Sequence, residues 1–276
     1  PDPDPDVLSA FLGACRPVEG QALDWLTRDK GVAPDVVAAL GLRFCGREYL
    51  DILAALKDRF GEDALVAAGL LKQARGRLSP TFGHYYAKKT GFLVIPYLLK
   101  GRPVYLKVRP PCGKDKAEAL GLIRFLNSAA AVPCLYNVDA LVAADPPPDK
   151  VLICEGESDT WTALSAGFAA VGSPGARLFK PQWVELFRNQ VEVHLDEERA
   201  AILEYEGGLS RAEAERQATT GIRSKVYLAL DGDIAGTEGS RTIAGLFQKA
   251  GLPVPLRLAI PEGQDLTDYM QAGKKA

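Results

Sequence analysis

The sequence predicts an α/β protein in which a mixed α+β basic subdomain precedes a domain built on a parallel sheet. After residue 149, short apolar runs alternate with helical segments, which is typical of parallel strands joined by helical crossovers. Before that point, helical segments that stop at glycines are followed by a β-hairpin. A length of 276 residues fits two compact units, at roughly 150 residues for each.

The N-terminal half is predicted from its helix stops and one hairpin. Residues 1–18 are assigned to a linker or frayed terminus, because the opening alternation of Pro and Asp forms neither helix nor sheet. Residues 19–148 form the basic subdomain, and residues 91–99 and 103–109 predict a β-hairpin with the basic turn Lys100-Gly101-Arg102. The predicted helices of this subdomain are 21–30, 34–40, 49–60, 62–68 and 137–144.

A connector with three prolines, residues 145–149, marks the boundary to the second domain, which we assign to residues 149–276. A highly charged segment at about 190–224 is too long for a tight connection and predicts an inserted pair of helices, 196–206 and 210–219. The other predicted elements are strands 151–154, 169–171, 225–230 and 254–260, and helices 158–166, 181–189, 235–250 and 265–272.

Composition narrows the class of protein. No apolar stretch approaches the roughly 18 residues that span a bilayer, so we expect a soluble cytoplasmic protein with no membrane partner. The five cysteines include no Cys-x-x-Cys pair, and only two histidines accompany them. We therefore expect reduced thiols and no zinc site.

The net charge of -2 hides two regions of opposite sign. Residues 64–125 carry twelve Lys and Arg against two acidic residues, whereas residues 151–276 carry 13 basic and 18 acidic residues. Six aromatic residues are interleaved with the basic ones, which favours a polyanion groove beside a carboxylate metal site. The alternative is a solvated basic face above core aromatics.

Carboxylates follow three of the four predicted strands. The first strand ends at Glu155, with Asp159 four residues on; the third is followed by Asp231 and Asp233, and the fourth by Asp265. The carboxyl ends of parallel strands meet at one edge of a sheet, so these groups are expected to converge. Oxygen ligands without His or Cys indicate Mg²⁺ or Mn²⁺, and hence phosphoryl-transfer chemistry.

Other interpretations of these motifs are weaker. An EF-hand loop starting at Asp231 requires an oxygen ligand where Ala235 stands and a Glu where Thr242 stands. A plain Asp-Gly turn remains an alternative for this motif taken alone. The loop at residues 172–175 matches neither the dinucleotide fingerprint nor the P-loop, and no nucleophile scheme with His84 or His194 has a supporting motif.

These motifs carry a family resemblance. Glu155-Gly156 with Asp159, and the later run of residues 231–236, are similar to the TOPRIM domain of DnaG-type primases, topoisomerases and some nucleases. Residues 92–97 before a hairpin ending at Arg109, then residues 124–128 and residues 135–140, resemble in order the motifs of the bacterial primase core. The resemblance covers roughly residues 22–272 and favours a phage, plasmid or mobile-element variety.

The resemblance implies a DNA primase catalytic core, a DNA-directed RNA polymerase and nucleotidyltransferase that makes short RNA primers from NTPs on single-stranded DNA. Glu155 is expected to act as a general acid/base or metal-side carboxylate, and Asp231 and Asp233 as the main ligands of Mg²⁺ or Mn²⁺. Asp159 and Asp265 are expected to support them. The residues expected to hold template and nucleotide are Lys107, Arg109, Arg124 and Asn127, with Lys88 and Lys89 contacting the backbone.

The sequence departs from the family in several places. Thr267 stands where Asp is usual, Arg124 replaces the common Lys, and the charged insert has no counterpart. No zinc ribbon or helicase domain is present, which suggests a piece of a larger replication protein. Expected partners are the DNA template, NTPs, the RNA/DNA hybrid product and, in the full-length protein, a replicative helicase.

Two other functions remain open from the sequence. A TOPRIM nuclease uses the same carboxylates on phosphodiesters. A non-catalytic module that binds single-stranded DNA would keep the fold, although intact Glu155, Asp231 and Asp233 count against it. A topoisomerase needs a nucleophilic Tyr in a separate domain, and no Tyr is marked for that role.

Overall fold

The computed structural model describes residues 4–74, 76–129, 133–142, 148–188, 194–195, 197–220 and 225–273. The helices are α1 (Pro5–Ala14), α2 (Gly20–Asp24, extended by a π-helical turn over Trp25–Asp29), α3 (Pro34–Ala39), α4 (Tyr49–Phe60), α5 (Glu62–Ala67), α6 (His84–Lys89), α7 (Lys114–Ala119), α8 (Asp139–Val142), α9 (Gly156–Ser165), α10 (Glu197–Tyr205), α11 (Arg211–Ala218), α12 (Ile234–Lys249) and α13 (Leu266–Gly273). The strands are β1 (Arg16–Pro17), β2 (Arg43–Cys45), β3 (Leu71–Ala74), β4 (Arg77–Pro80), β5 (Phe92–Leu99), β6 (Arg102–Arg109), β7 (Leu126–Asn127), β8 (Lys150–Glu155), β9 (Ala169–Ser173), β10 (His194–Leu195), β11 (Thr219–Thr220), β12 (Lys225–Ala229) and β13 (Leu256–Arg257).

The N-terminal half is built on an antiparallel sheet in the order β1-β2-β5-β6-β7. Its centre is the predicted hairpin, in which Ile95 of β5 pairs with Lys107 of β6. In the turn, Lys100 and Gly101 both have positive φ, and their backbone N–H groups donate to the Asp139 carboxylate at 2.7 Å each. The sequence prediction misses β1, β2, β7 and the β3–β4 hairpin, because strands of two to four residues carry too little alternation to be recognised.

Both faces of this sheet are covered. On one face, Phe11 of α1 and Tyr49 of α4 pack edge to face, with ring centroids 6.2 Å apart, in a core that includes Phe92 of β5. The other face places Tyr97 in a core with Trp161 of α9. Because α9 belongs to the C-terminal half, this second core fixes the basic hairpin against the parallel sheet.

The prediction of a linker over residues 1–18 is wrong from Pro5 onwards. Residues Pro5–Ala14 form α1, and Val7, Leu8 and Phe11 are fully buried. Proline is tolerated here because it occupies the first turn, where its missing N–H has no helical partner to lose. Asp4 caps the helix by accepting a hydrogen bond from the backbone N–H of Asp6 at 2.9 Å.

The C-terminal half contains a parallel sheet in the order β13-β12-β8-β9, which confirms the predicted α/β class. Along β8, Val151 and Ile153 belong to one core, while Leu152 and Cys154 belong to a core on the opposite face. A strand buried on both faces reads as a continuous apolar run, as this one does.

Two elements of this half differ from their predictions. The predicted strand at 254–260 is only the pair Leu256–Arg257 at the sheet edge, because Pro253, Pro255 and Pro261 lack the N–H groups that a ladder needs. The predicted helix at 181–189 is a 3₁₀ helix over Pro181–Phe187.

The charged insert contains the predicted pair of helices, α10 and α11, which pack against each other. Their base is a short ladder in which β10 pairs with β11, His194 opposite Thr220. Other parts of the predicted insert, residues 143–144 of the predicted helix 137–144 and residues 145–147 of the connector lie outside the described residues. Among the helices that the structure describes, none has the length and apolar character that crossing a membrane requires.

Candidate active site at the carboxyl edge of the parallel sheet

Four of the five predicted metal ligands line one cleft with a volume of about 280 Å³. Glu155 ends β8, Asp159 lies in the first turn of α9, and Asp231 and Asp265 lie in the loops that follow β12 and β13. The convergence follows from the sheet, in which β8 lies beside β12 and β12 beside β13.

Asp233 is placed differently from the other four. Its carboxylate caps α12, accepting a hydrogen bond from the backbone N–H of Gly236 at 2.6 Å. It is exposed and lines a neighbouring cavity of about 420 Å³. A ligand role for Asp233 therefore depends on its second oxygen or on release of the helix cap.

Gly232 allows the loops after β12 and β13 to approach each other. A Cβ at this position would lie 1.9 Å from the carbonyl oxygen of Pro261. Instead, the Gly232 N–H donates to the carbonyl of Gln264 at 2.9 Å, next to Asp265. Any larger residue here would separate Asp231 from Asp265.

In the described part of the chain, Glu155 and Asp231 form no ion pair that would neutralise them. Burial, and then the negative charge of Glu155, raise the pKa of Asp231 to about 7. Burial also raises the pKa of Glu155, against the lowering effect of backbone hydrogen bonds from Ala176 and Asp231. Within the described part of the chain, Asp231 Oδ1 and Glu155 Oε2 are buried without a hydrogen-bond partner.

These orphaned oxygens are the feature that fits a cation. Among the described residues, no group of three or more His, Cys, Asp or Glu side chains is arranged to hold a metal ion by itself. Mg²⁺ does not require such a cage, because it keeps several waters and binds through one or two carboxylates plus substrate phosphates. Glu155 and Asp231 supply that donor set.

Asp159 is held by the residue that departs from the family pattern. Its Oδ1 accepts hydrogen bonds from the Thr267 backbone N–H at 3.1 Å and the Thr267 hydroxyl at 2.7 Å. Burial, and then the charge of Asp265, raise its pKa to about 7, although the Thr267 bonds act in the opposite direction. Thr267 thus holds Asp159 in a buried position, at 3% exposure.

Basic residues form the opposite wall of the cleft. Lys107 and Arg124 line it directly, and Phe125 lies between them, with Lys107 Nζ 4.5 Å and Arg124 Cζ 5.4 Å from its ring centroid. Asn127 is exposed and, with Lys107, lines an adjacent cavity of about 300 Å³. Two of the residues predicted to hold template or nucleotide, Lys107 and Arg124, thus line the cleft, and a third, Asn127, lies beside it.

Arg109 lies beneath this wall, with only 1% of its surface exposed. Its guanidinium is enclosed by the rings of Trp25 and Phe125, at 4.5 and 4.9 Å from their centroids, and donates to the Ser158 hydroxyl at 3.1 Å. Burial lowers its pKa to about 10. Arg109 therefore supports Phe125 and the start of α9 from below.

Lys88 and Lys89 lie away from the carboxylates. Both are exposed in the last turn of α6 and line a separate cavity of about 630 Å³, which they share with Arg16 and Arg47. Lys89 Nζ donates to the carbonyl of Leu120 at 2.6 Å. The pair is placed to contact a polyanion outside the cleft.

Sequence reasoning misses Glu157 as a site residue. It lies in the same motif as Glu155 and Asp159, yet its carboxylate is 2% exposed and accepts a hydrogen bond from Lys107 Nζ at 2.6 Å. The signal available in the sequence was a third acid in one short motif at a strand end. Its partner, 50 residues earlier, could not be read from spacing.

Comparison with known proteins shows which fold this is. No family model matches the chain. The structure of a DnaG primase catalytic domain bound to single-stranded DNA has a TM-score of 0.66 and 18% identity, over 98% of this chain and 75% of that one. The RNA polymerase domain of Mycobacterium tuberculosis primase DnaG gives 0.65 and 18%, over 96% and 79%, and the E. coli primase catalytic core gives 0.64 and 18%, over 97% and 75%. The chain has the DnaG catalytic-core fold, as predicted.

A sequence relative comes from a bacteriophage. The Gene 57 protein of Mycobacterium phage D29 is 27% identical over 157 residues, which are 56% of this chain and 76% of that protein. It is a weak homologue, consistent with the predicted phage variety.

Proposed function

We propose that this chain is the catalytic core of a DNA primase, which makes short RNA primers from NTPs on single-stranded DNA. The observation that carries the proposal is the cleft itself. Within a DnaG-type fold, unneutralised carboxylates at the strand ends face Lys107 and Arg124 across a space of about 280 Å³. Acidic groups on one side and cations on the other are what a metal-bound triphosphate requires.

Glu155 and Asp231 would hold Mg²⁺ or Mn²⁺, with Asp265 and Asp159 in support. When bound, such an ion polarises phosphoryl oxygens and stabilises the attacking and leaving oxygens of an in-line displacement. Asp233 would contribute through the carboxylate that now caps α12. The TOPRIM-type role predicted for these acids thus rests on the two orphaned oxygens of the cleft.

Residues of the chain itself would transfer the proton, bind the phosphates and exclude water. Glu155 would hold the metal or, in the other role expected for it, accept a proton from the attacking hydroxyl at Oε2, for which a pKa raised by burial is suited. Lys107 and Arg124 would bind phosphate oxygens as charge-assisted donors, and Arg124 can do so with two nitrogens at once. Phe125 would exclude water from the back of this wall.

The expected partners follow from the charged surfaces. Among the similar structures, one catalytic domain is bound to single-stranded DNA and one RNA polymerase domain is in complex with double-stranded DNA. For this chain, the cavity lined by Lys88, Lys89, Arg16 and Arg47 would contact the template backbone, which is recognised by charge rather than by sequence. The other proposed partners are NTPs, the RNA/DNA hybrid product and, in a longer protein, a replicative helicase. The proposed location is the cytoplasm of a bacterial host.

De novo synthesis tests the proposal. Single-stranded DNA is incubated with labelled ribonucleotides and Mg²⁺ or Mn²⁺, using the native protein, Asp231→Ala and the control Asp58→Ala, which removes an exposed carboxylate of α4. We expect metal-dependent oligoribonucleotides that Asp231→Ala abolishes and Asp58→Ala preserves. Degradation of the DNA without synthesis would support the nuclease instead. Binding unchanged by metal or mutation would leave the non-catalytic module.

A further inference from the structure

We propose that Glu157 is a positioning residue that holds the Lys107 ammonium at the mouth of the carboxylate cleft, where it meets the triphosphate of the incoming nucleotide. The inference deepens the proposed primase function and rests on it for the identity of the ligand. It assigns a role to an acidic residue that is neither a metal ligand nor a nucleic-acid contact.

The first support is the geometry of the Glu157 carboxylate. Its Oε1 accepts a hydrogen bond from Lys107 Nζ at 2.6 Å and a second one from the hydroxyl of Tyr97. Glu157 side-chain exposure is 2% and that of Lys107 is 14%, so solvent screens this ion pair very little. Tyr97 is itself buried and stacks on Tyr105, with ring centroids 4.0 Å apart. The carboxylate therefore has a rigid support.

The second support is the position of the ammonium. Lys107 lines both the carboxylate cleft of about 280 Å³ and the adjacent cavity of about 300 Å³. The ammonium has three N–H donors, and one of them is used by Glu157. The Phe125 ring, 4.5 Å from Nζ, closes another side. Because Lys107 lines both cavities, its remaining donors are left for an anion bound there.

The third support is the charge balance of the cleft. A lysine side chain has four rotatable bonds, and fixing it before the ligand arrives lowers the entropy lost on binding. Glu157 provides this fixation, while Lys107 neutralises the carboxylate that would otherwise repel a triphosphate. The pair joins β6 to α9, so the same contact sets the basic wall against the sheet that carries the other acids.

The competing explanation is a purely structural ion pair between the two halves of the protein. Such a pair would affect stability alone, whereas a positioning pair affects nucleotide binding through Lys107. Four variants separate these effects: Glu157→Gln, Lys107→Met, the double variant, and Tyr97→Phe. Glu118→Gln is the matched control, because it removes the carboxylate of an exposed Lys–Glu pair on α7.

The central readout is the KM for ATP during extension of an annealed RNA primer opposite dT, with kcat measured in parallel. We expect Glu157→Gln to raise KM about 5-fold and Lys107→Met about 10-fold, with kcat nearly unchanged. In the Lys107→Met background, Glu157→Gln should have no further effect on KM. Tyr97→Phe should raise KM by a smaller factor, and Glu118→Gln should leave it unchanged.

Two measurements do not require synthesis. Calorimetry of ATP binding with Mg²⁺ should show the same coupling between the two substitutions. The ¹H–¹⁵N signal of a held lysine ammonium, assigned by its loss in Lys107→Met, should disappear in Glu157→Gln. If the two substitutions are coupled in ATP binding but the native protein makes no primer, the positioning role stands and the primase function is rejected.

Other outcomes overturn the proposal. If Glu157→Gln raised KM by the same factor in the native protein and in Lys107→Met, Glu157 would act independently of Lys107. A lower melting temperature with unchanged KM and unchanged ATP affinity would leave only a structural pair. Primer synthesis with a normal KM in Glu157→Gln would reject positioning while retaining the primase, and absence of ATP binding in the native protein would reject both.

Discussion

The two walls of the cleft hold their charges in different ways. On the acidic wall, Glu155 and Asp231 each keep a buried oxygen without a hydrogen-bond partner among the described residues, and burial raises the pKa values of both. On the basic wall, Lys107 is paired with Glu157 and stacked on Phe125, and Arg109 is enclosed by two rings. The acidic wall has buried carboxylate oxygens available for the proposed cation, whereas the basic wall is organised in advance by its neighbours.

The largest effect is expected at the acidic wall. Asp231→Asn should lower the rate of nucleotide addition by about 10³-fold, since several kcal/mol of charge stabilisation depend on this carboxylate. The same substitution should raise the melting temperature in EDTA, because it removes one member of a repelling group. Rates and thermal melts on one preparation check both parts. A stable variant with full activity would show that the two walls do not differ as described.

Thr267→Asp tests whether the acidic wall tolerates a further carboxylate in the absence of metal. Thr267 is 1% exposed, and both its N–H and hydroxyl donate to Asp159, so a carboxylate there would replace a donor with a second charge. We expect a loss of about 3 kcal/mol in EDTA, partly restored by Mn²⁺. Urea unfolding measures it, and Thr267→Ser, which keeps the hydroxyl, is the control. Equal stability of Thr267→Asp and the native protein without metal would contradict this account.

Much of the acidic wall could be predicted from sequence, because Glu155 and Asp231 follow strands whose apolar runs are readable, Asp159 shares the Glu155 motif, and Asp265 follows the short edge strand β13. Asp233 is the exception, since its role as a helix cap depends on the local path of the chain. The basic wall was predicted only in outline. The sequence predicts that Arg109 holds template or nucleotide, whereas the structure buries it against Trp25, 84 residues away in the chain, and no spacing rule encodes that contact.

In the fold as well, elements with long local patterns could be predicted, whereas an element that depends on distant contacts could not. The β5–β6 hairpin and α4 match their predicted bounds closely because their patterns are long and continuous. α1 was missed because the Pro and Asp residues before it resemble a linker, whereas the burial of Phe11 against Tyr49 stabilises the helix. Helix α1 is therefore stabilised by tertiary packing, which the local sequence pattern does not reveal.

Arg109→Met asks whether the basic wall is organised for stability or for function. Within the described residues, Arg109 forms no ion pair, and Met has a similar volume, so stability should change by less than about 1 kcal/mol. Primer extension should nonetheless fall about 10-fold, because Phe125 and Ser158 lose the group that orients them. Arg109→Ala, which leaves a cavity, should cost about 3 kcal/mol. A large destabilisation by Arg109→Met would assign Arg109 to stability.

The smallest effect is a pH dependence of the metal-free protein. Asp231 and Asp159 have pKa values raised to about 7, while Asp in an unfolded chain titrates near about 3.9. The folded state therefore binds more protons between these values, so this contribution to stability is complete below about pH 4 and is lost as pH rises through about 7.

Urea midpoints in EDTA across that range, for the native protein and Asp231→Asn, measure this contribution as a difference. The native protein should lose stability relative to Asp231→Asn as pH rises. Asp58→Asn, an exposed carboxylate on α4, should follow the native curve. If the difference in urea midpoint between the native protein and Asp231→Asn did not change with pH, repulsion among the carboxylates would not be destabilising the acidic wall.

The most direct test of the central claim is the addition of one labelled ribonucleotide to an RNA primer annealed to a DNA template. The account predicts extension by one nucleotide that requires Mg²⁺ or Mn²⁺, is abolished by EDTA, and is lost in Asp231→Asn but retained in Asp58→Asn. Extension that is insensitive to Asp231→Asn, or cleavage of the template with no extension under any metal, would contradict it.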